Sequence, residues 1–121
     1  MSHKILVVDD ESDVRKFLTL VLEKRGYEVV TAEDGRKAFG IAEEQRPDLI
    51  VLDLQMPDQT GTDFFRRLTK HPELRKVPII VVSGMAGRHL AVSSAYAVFD
   101  KPIVPDEFTE AVDRAIGVSD D

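Results

Sequence analysis

Five short apolar runs punctuate the chain: Ile5–Val8, Glu28–Ala32, Leu49–Leu52, Ile79–Val82 and Ala97–Phe99. Four are rich in Val and Ile, the composition of strands buried on both faces. Between the runs the apolar spacing changes to that of helices. Val14, Phe17, Leu18, Val21 and Leu22 fall at i, i+3, i+4, i+7 and i+8, one face of a helix, and Gly26 follows as a stop signal. Phe108, Ala111, Val112, Ala115 and Ile116 repeat the spacing ahead of Gly117. Ala38, Phe39 and Ala42 mark another helix; Phe64, Phe65 and Leu68 mark a further one, with Gly61 at its start. Residues Arg88–Ala95 predict only a weak, short helix before the last strand.

Strands alternating with helices imply a parallel sheet covered on both faces, with right-handed crossovers that place every strand C-terminus on one edge. Ligands of such sheets bind at that edge. The 121 residues suit one domain with one core, spanning 1–121 and frayed from about Val118. No repeat, linker or low-complexity stretch interrupts them.

Composition narrows the functional classes. Hydrophobic residues make up 43% and charged residues 31%, ordinary values for a soluble globular protein. Every apolar run is too short to cross a bilayer, and Met1-Ser2-His3-Lys4 leads into a strand with no signal-peptide core, so no membrane association is expected. Without cysteine there is no disulfide or thiolate metal site, which is compatible with a reducing cytoplasm. The net charge of −6, with no basic stripe, argues against nucleic-acid binding. His3, His71 and His89 show no metal-ligand spacing and are expected at the surface.

The residues that follow the runs carry the chemistry. Asp9, Asp10 and Glu11 follow the first, Asp53 the third, Ser83 the fourth, and Asp100, Lys101 and Pro102 the fifth. Clustered carboxylates repel, and a divalent cation removes the conflict. Hard oxygen ligands suit Mg²⁺, which takes one or two carboxylates and keeps several waters. Asp10 and Asp53 are the expected direct ligands, with Asp9 acting through water and the Gln55 carbonyl as a further ligand. A carboxylate can also attack phosphorus to form an acyl phosphate. Lys101 and the metal would balance the phosphoryl oxygens, and Ser83 would donate a hydrogen bond to one. Taken singly, Asp9, Asp10, Asp53 and Ser83 are also ordinary cap and turn residues, and Lys101 an ordinary solvated lysine. Their joint occurrence is what singles them out. A Gly-rich dinucleotide or phosphate loop is absent after the first strand, where Val8-Asp9-Asp10-Glu11-Ser12 stands instead.

In these stretches the chain resembles response-regulator receiver domains of two-component signalling. The resemblance rests on Ile5–Glu11, on Pro47–Pro57 with Gly61 beyond, on Pro78–Gly84 and on Lys101-Pro102, in the family's order over nearly the whole chain. It implies a flavodoxin-like α/β fold, doubly wound, with a five-stranded parallel sheet of order 2-1-3-4-5. It implies phosphoryl transfer to Asp53 from a histidine kinase or histidine phosphotransfer protein, and a downstream protein target that reads the result. Mg²⁺ falls to Asp9, Asp10 and Asp53 with the main chain at Gln55, phosphate sensing to Ser83 and Lys101, and a cis peptide to Lys101-Pro102. Two departures stand out. Val98 occupies the position of the family's aromatic switch residue, and the segment from Ser83 to Lys101 is roughly one helical turn short, so the fourth helix is expected to be shortened. A pseudo-receiver interaction module without phosphate is the competing reading. A haloacid-dehalogenase-like phosphatase is a third, but Gln55 occupies the place of its second aspartate.

Overall fold

The computed structural model describes residues 3–54, 56, 60–83 and 96–117. The weak helix expected over 88–95 and the fraying expected from 118 lie outside them. Five parallel strands, β1 (Lys4–Val8), β2 (Glu28–Ala32), β3 (Leu49–Asp53), β4 (Ile79–Ser83) and β5 (Ala97–Asp100), form one sheet of order β2-β1-β3-β4-β5. This is the expected doubly wound order. The described helices are α1 (Ser12–Lys24), α2 (Gly35–Gln45), α3 (Thr60–Lys70) and α4 (Pro105–Ile116). None of them is long and apolar enough to cross a membrane.

Alternation along each strand divides the core in two. Leu6, Val8, Ile50, Leu52 and Val81 face one side and pack with Ala38, Ala42, Phe64 and Leu68 of α2 and α3. Ile5, Val7, Leu49, Val51, Ile80 and Val82 face the other and pack with Leu18 and Leu22 of α1 and Phe108 and Val112 of α4. Because both faces are covered, the central strands read as unbroken apolar runs.

Helix ends follow local chemistry. Past α1, Gly26 takes φ 92°, its amide donates to the Glu23 carbonyl and the Tyr27 amide to that of Leu22, a Schellman closure of two orphan carbonyls. Gly117 closes α4 at φ 81°. The side chain of Asp34 accepts a hydrogen bond from the Lys37 amide at 2.8 Å and caps α2.

Two close approaches fix α2 and α3 to each other and to the sheet. A Cβ on Gly35 would collide with the Thr60 carbonyl oxygen, so α2 and α3 touch at their first turns. A Cβ on Gly61 would stand 2.6 Å from the Asp53 carbonyl oxygen, so the start of α3 rests on the last residue of β3.

Two expectations are corrected. Phe17 belongs to the apolar face of α1 by spacing, yet it is 41% exposed. The sheet is already covered by Leu18 and Leu22, and Phe17 falls at the side of the contact. His71 is not a plain surface residue: its side chain is only 15% exposed. Its Nδ1 accepts the amides of Glu73 and Leu74 at 3.1 and 3.0 Å, capping a 3₁₀ turn at Leu74–Lys76.

Phe108 is fully buried against Phe99, ring centroids 5.9 Å apart. Phe108→Ala is expected to lower unfolding free energy by about 3–5 kcal/mol, read from urea denaturation.

Candidate functional site

The C-terminal edge of the sheet places its residues through the ladder. Asp9 follows β1, and its amide still donates to the Ala32 carbonyl at 3.2 Å, so the main chain is held one residue past the strand. Asp9 Oδ1 accepts the Glu11 amide at 2.9 Å, while the Asp9 carbonyl accepts the Arg15 guanidinium at 2.5 Å. Asp53 is the last residue of β3, in register with Val82 of β4. Lys101 follows β5, and the Lys101-Pro102 peptide is cis, as the resemblance implies.

These placements converge. Lys101 Nζ lies 3.2 Å from Asp9 Oδ2, 3.2 Å from Asp53 Oδ2 and 3.3 Å from Glu11 Oε1. Asp9 is 1% exposed and Asp53 2%, whereas Asp10 faces solvent. One carboxylate oxygen from each of Asp9, Asp10 and Asp53 lies within 4.8 Å of the others. Burial pushes the Asp9 carboxyl above the usual carboxylate range, against the pull of the Glu11 amide and Lys101. Burial also opposes the charge on Lys101, but Asp53 and Asp9 together outweigh it and hold the ammonium above its ordinary value. The electrostatics therefore favour a bound cation in the cleft. Three oxygen donors, two of them sealed from water, form a set that fits a hard divalent ion such as Mg²⁺.

The structure thus brings together Asp9, Asp10, Asp53 and Lys101 as the sequence predicts. Ser83 ends β4 in register with Asp100, at the same edge; its side chain lies outside the described residues, as does all of Gln55. Two contributors have no individual role in the sequence reading. Glu11 reaches Lys101, and Arg15, one turn into α1, reaches back to the Asp9 carbonyl. An acidic residue beside the aspartate pair was visible, but its direction depends on how α1 leaves the sheet. Beside the cleft, Glu11, Asp13, Val14, Phe17, Lys101 and Pro102 line an open groove of about 430 Å³.

A doubly wound parallel sheet with buried aspartates and one lysine at its strand ends defines a small α/β protein built around an acidic cleft. The chain belongs to the response regulator receiver domain family of two-component signalling, which it matches over residues 5–113. It is 33% identical over 116 residues to Protein Rrf1 of Nitratidesulfovibrio vulgaris, covering 96% of this chain and 84% of that protein. It is 30% identical over 121 residues to the polar-differentiation response regulator DivK of Brucella anthropi, covering 97% and 98%. Among solved structures, the Vibrio cholerae chemotaxis protein CheY4 superposes with a TM-score of 0.86 at 28% identity, covering 95% of this chain and 99% of that one. The receiver domain of a sensor histidine kinase from Pseudomonas aeruginosa, solved with a magnesium ion coordinated in its active-site cleft, superposes with a TM-score of 0.88 at 27% identity, covering 97% and 99%.

Crowded carboxylates cost stability when no metal is present. Asp10→Asn is expected to raise the melting temperature of the metal-free protein by roughly 2–4 °C, measured by calorimetry in chelator.

Proposed function

We propose that this chain is a single phosphorylation-switched unit in which Asp53 accepts a phosphoryl group from a histidine kinase or histidine phosphotransfer protein. The observation that carries the reading is the convergence of Lys101 on Asp53 and Asp9 with Asp10 beside them. An Asp53 carboxylate oxygen bonds to phosphorus as the donor's P–N bond breaks, and the imidazole nitrogen keeps the electron pair. Such a transfer depends on positioning and charge neutralisation, with little covalent work for the protein. The β3–β4 register fixes Asp53, and burial keeps bulk water from its side chain. Lys101 gives a hydrogen bond to a transferred oxygen, and Ser83 gives another.

Asp9, Asp10 and Asp53, with the Gln55 carbonyl, are the residues that would hold Mg²⁺. When bound, the ion neutralises charge on the phosphoryl oxygens. The magnesium in the Pseudomonas aeruginosa relative supports this assignment. The protein performs no turnover beyond its own phosphorylation and dephosphorylation; its output is altered binding to a downstream protein.

A phosphohistidine on a folded donor reaches Asp53 only across the rim. The groove lined by Val14, Phe17 and Pro102 is therefore the donor's docking surface, and the exposure of Phe17 has a use there.

Beryllofluoride with Mg²⁺ is expected to bind with 1:1 stoichiometry by ¹⁹F NMR, and Asp53→Asn to abolish it. No Asp53-dependent signal would leave the interaction module as the better reading, and steady hydrolysis of varied phosphomonoesters would point to a phosphatase. Mg²⁺ at a hundredfold excess over its Kd is expected to stabilise the wild type by about 2.7 kcal/mol, a gain that Asp10→Asn largely removes in the same melts. Phe17→Ala is expected to slow transfer from a phosphorylated protein donor by roughly tenfold, timed by radiolabel transfer with circular dichroism as the folding control.

A further inference from the structure

Lys101 has three N–H donors. In the structure they meet three carboxylates: Asp9 and Asp53, both sealed, and Glu11, whose side chain is 62% exposed. A phosphoryl oxygen that is to be held by Lys101 must take the place of one of these acceptors. Asp9 is fixed on the Glu11 amide and the β1–β2 ladder, and Asp53 is the bonded residue itself. Glu11 is different. It stands at the N-cap position of α1 with no side-chain bond to the helix, and Lys101 is the partner its carboxylate reaches. Its contact also spans two loops, joining the turn after β1 to the turn after β5, and it lines the open groove beside the cleft.

We infer that Glu11 is a positioning residue that competes with the phosphoryl group for Lys101, so that the Glu11–Lys101 bridge closes the resting cleft and opens on phosphorylation. The inference rests on the phosphoacceptor reading above. In the resting protein the bridge occupies one face of the ammonium and keeps the start of α1 tied to the β5–α4 turn. When a phosphoryl oxygen enters, Lys101 turns to it, Glu11 loses its partner, and the two loops part. Exposure of the Glu11 rim then marks the phosphorylated state, independently of any ring at Val98.

Two substitutions separate the bridge from charge alone. Glu11→Gln removes the charge and the ion pair. Glu11→Asp keeps the charge but shortens the side chain by one methylene, which breaks a 3.3 Å contact. Beryllofluoride affinity in saturating Mg²⁺ is expected to rise roughly three- to fivefold in both variants, the effect of releasing one exposed ion pair. The lysine ¹⁵Nζ resonance of Lys101 in the metal-free protein is expected to move in both, a readout that a general loss of helix stability would leave in place. A rise in Glu11→Gln with none in Glu11→Asp would mean through-space repulsion and overturn the bridge. Equal affinities in all three proteins would overturn the competition while leaving Asp53 as the acceptor. A wild type that takes up no beryllofluoride would overturn the phosphoacceptor reading, and the competition with it.

Discussion

Two carboxylates withdrawn from water and answered by one ammonium set the terms for this molecule. Removing Asp9 and Asp53 from solvent costs several kcal/mol each unless partners compensate. The compensation comes from separate strand ends, so it exists only when β1, β3 and β5 lie in register across the sheet. The parallel ladder and the crossover helices are the means by which residues 9, 53 and 101 meet. A shift of one residue in any of these strands would turn its side chains to the opposite face and dissolve the cluster.

Much of this arrangement was legible in the sequence. The strands were visible because their residues are buried on both faces, leaving Val-rich and Ile-rich runs such as Ile79–Val82 that no half-exposed strand would show. The acidic cluster followed from the topology, since four of the five runs are followed by a residue with chemistry to offer. What stayed hidden depends on the angle at which elements leave the sheet. Phe17 has the spacing of a core residue, but a helix of this size covers the sheet with Leu18 and Leu22. His71 gave no periodic signal, because its role is to accept two amides of a turn three residues on. Glu11 read as a third acidic residue, and only the path of α1 turns it toward Lys101.

The division of the core gives the departure at Val98 a structural meaning. Val98 packs on the side of α2 and α3, whereas Phe99 and Ala97 pack on the side of α1 and α4. Phe99 holds Phe108 edge-on, so the aromatic residue next to Val98 is committed to anchoring α4. The aromatic side chain of β5 thus packs in the core on the side of α1 and α4, and a change of its rotamer would break that contact.

The glycine at 61 leads to a different kind of conclusion. With no side chain between them, the first turn of α3 bears directly on the carbonyl of the residue that ends β3. An α-helix of this length is a stiff rod of about 16 Å. A small tilt at its foot becomes a larger sweep at its far end, near Lys70. Gly35 sets α2 on the same foot, so a displacement of the Asp53 main chain would press on α3 directly and on α2 through the Thr60 carbonyl.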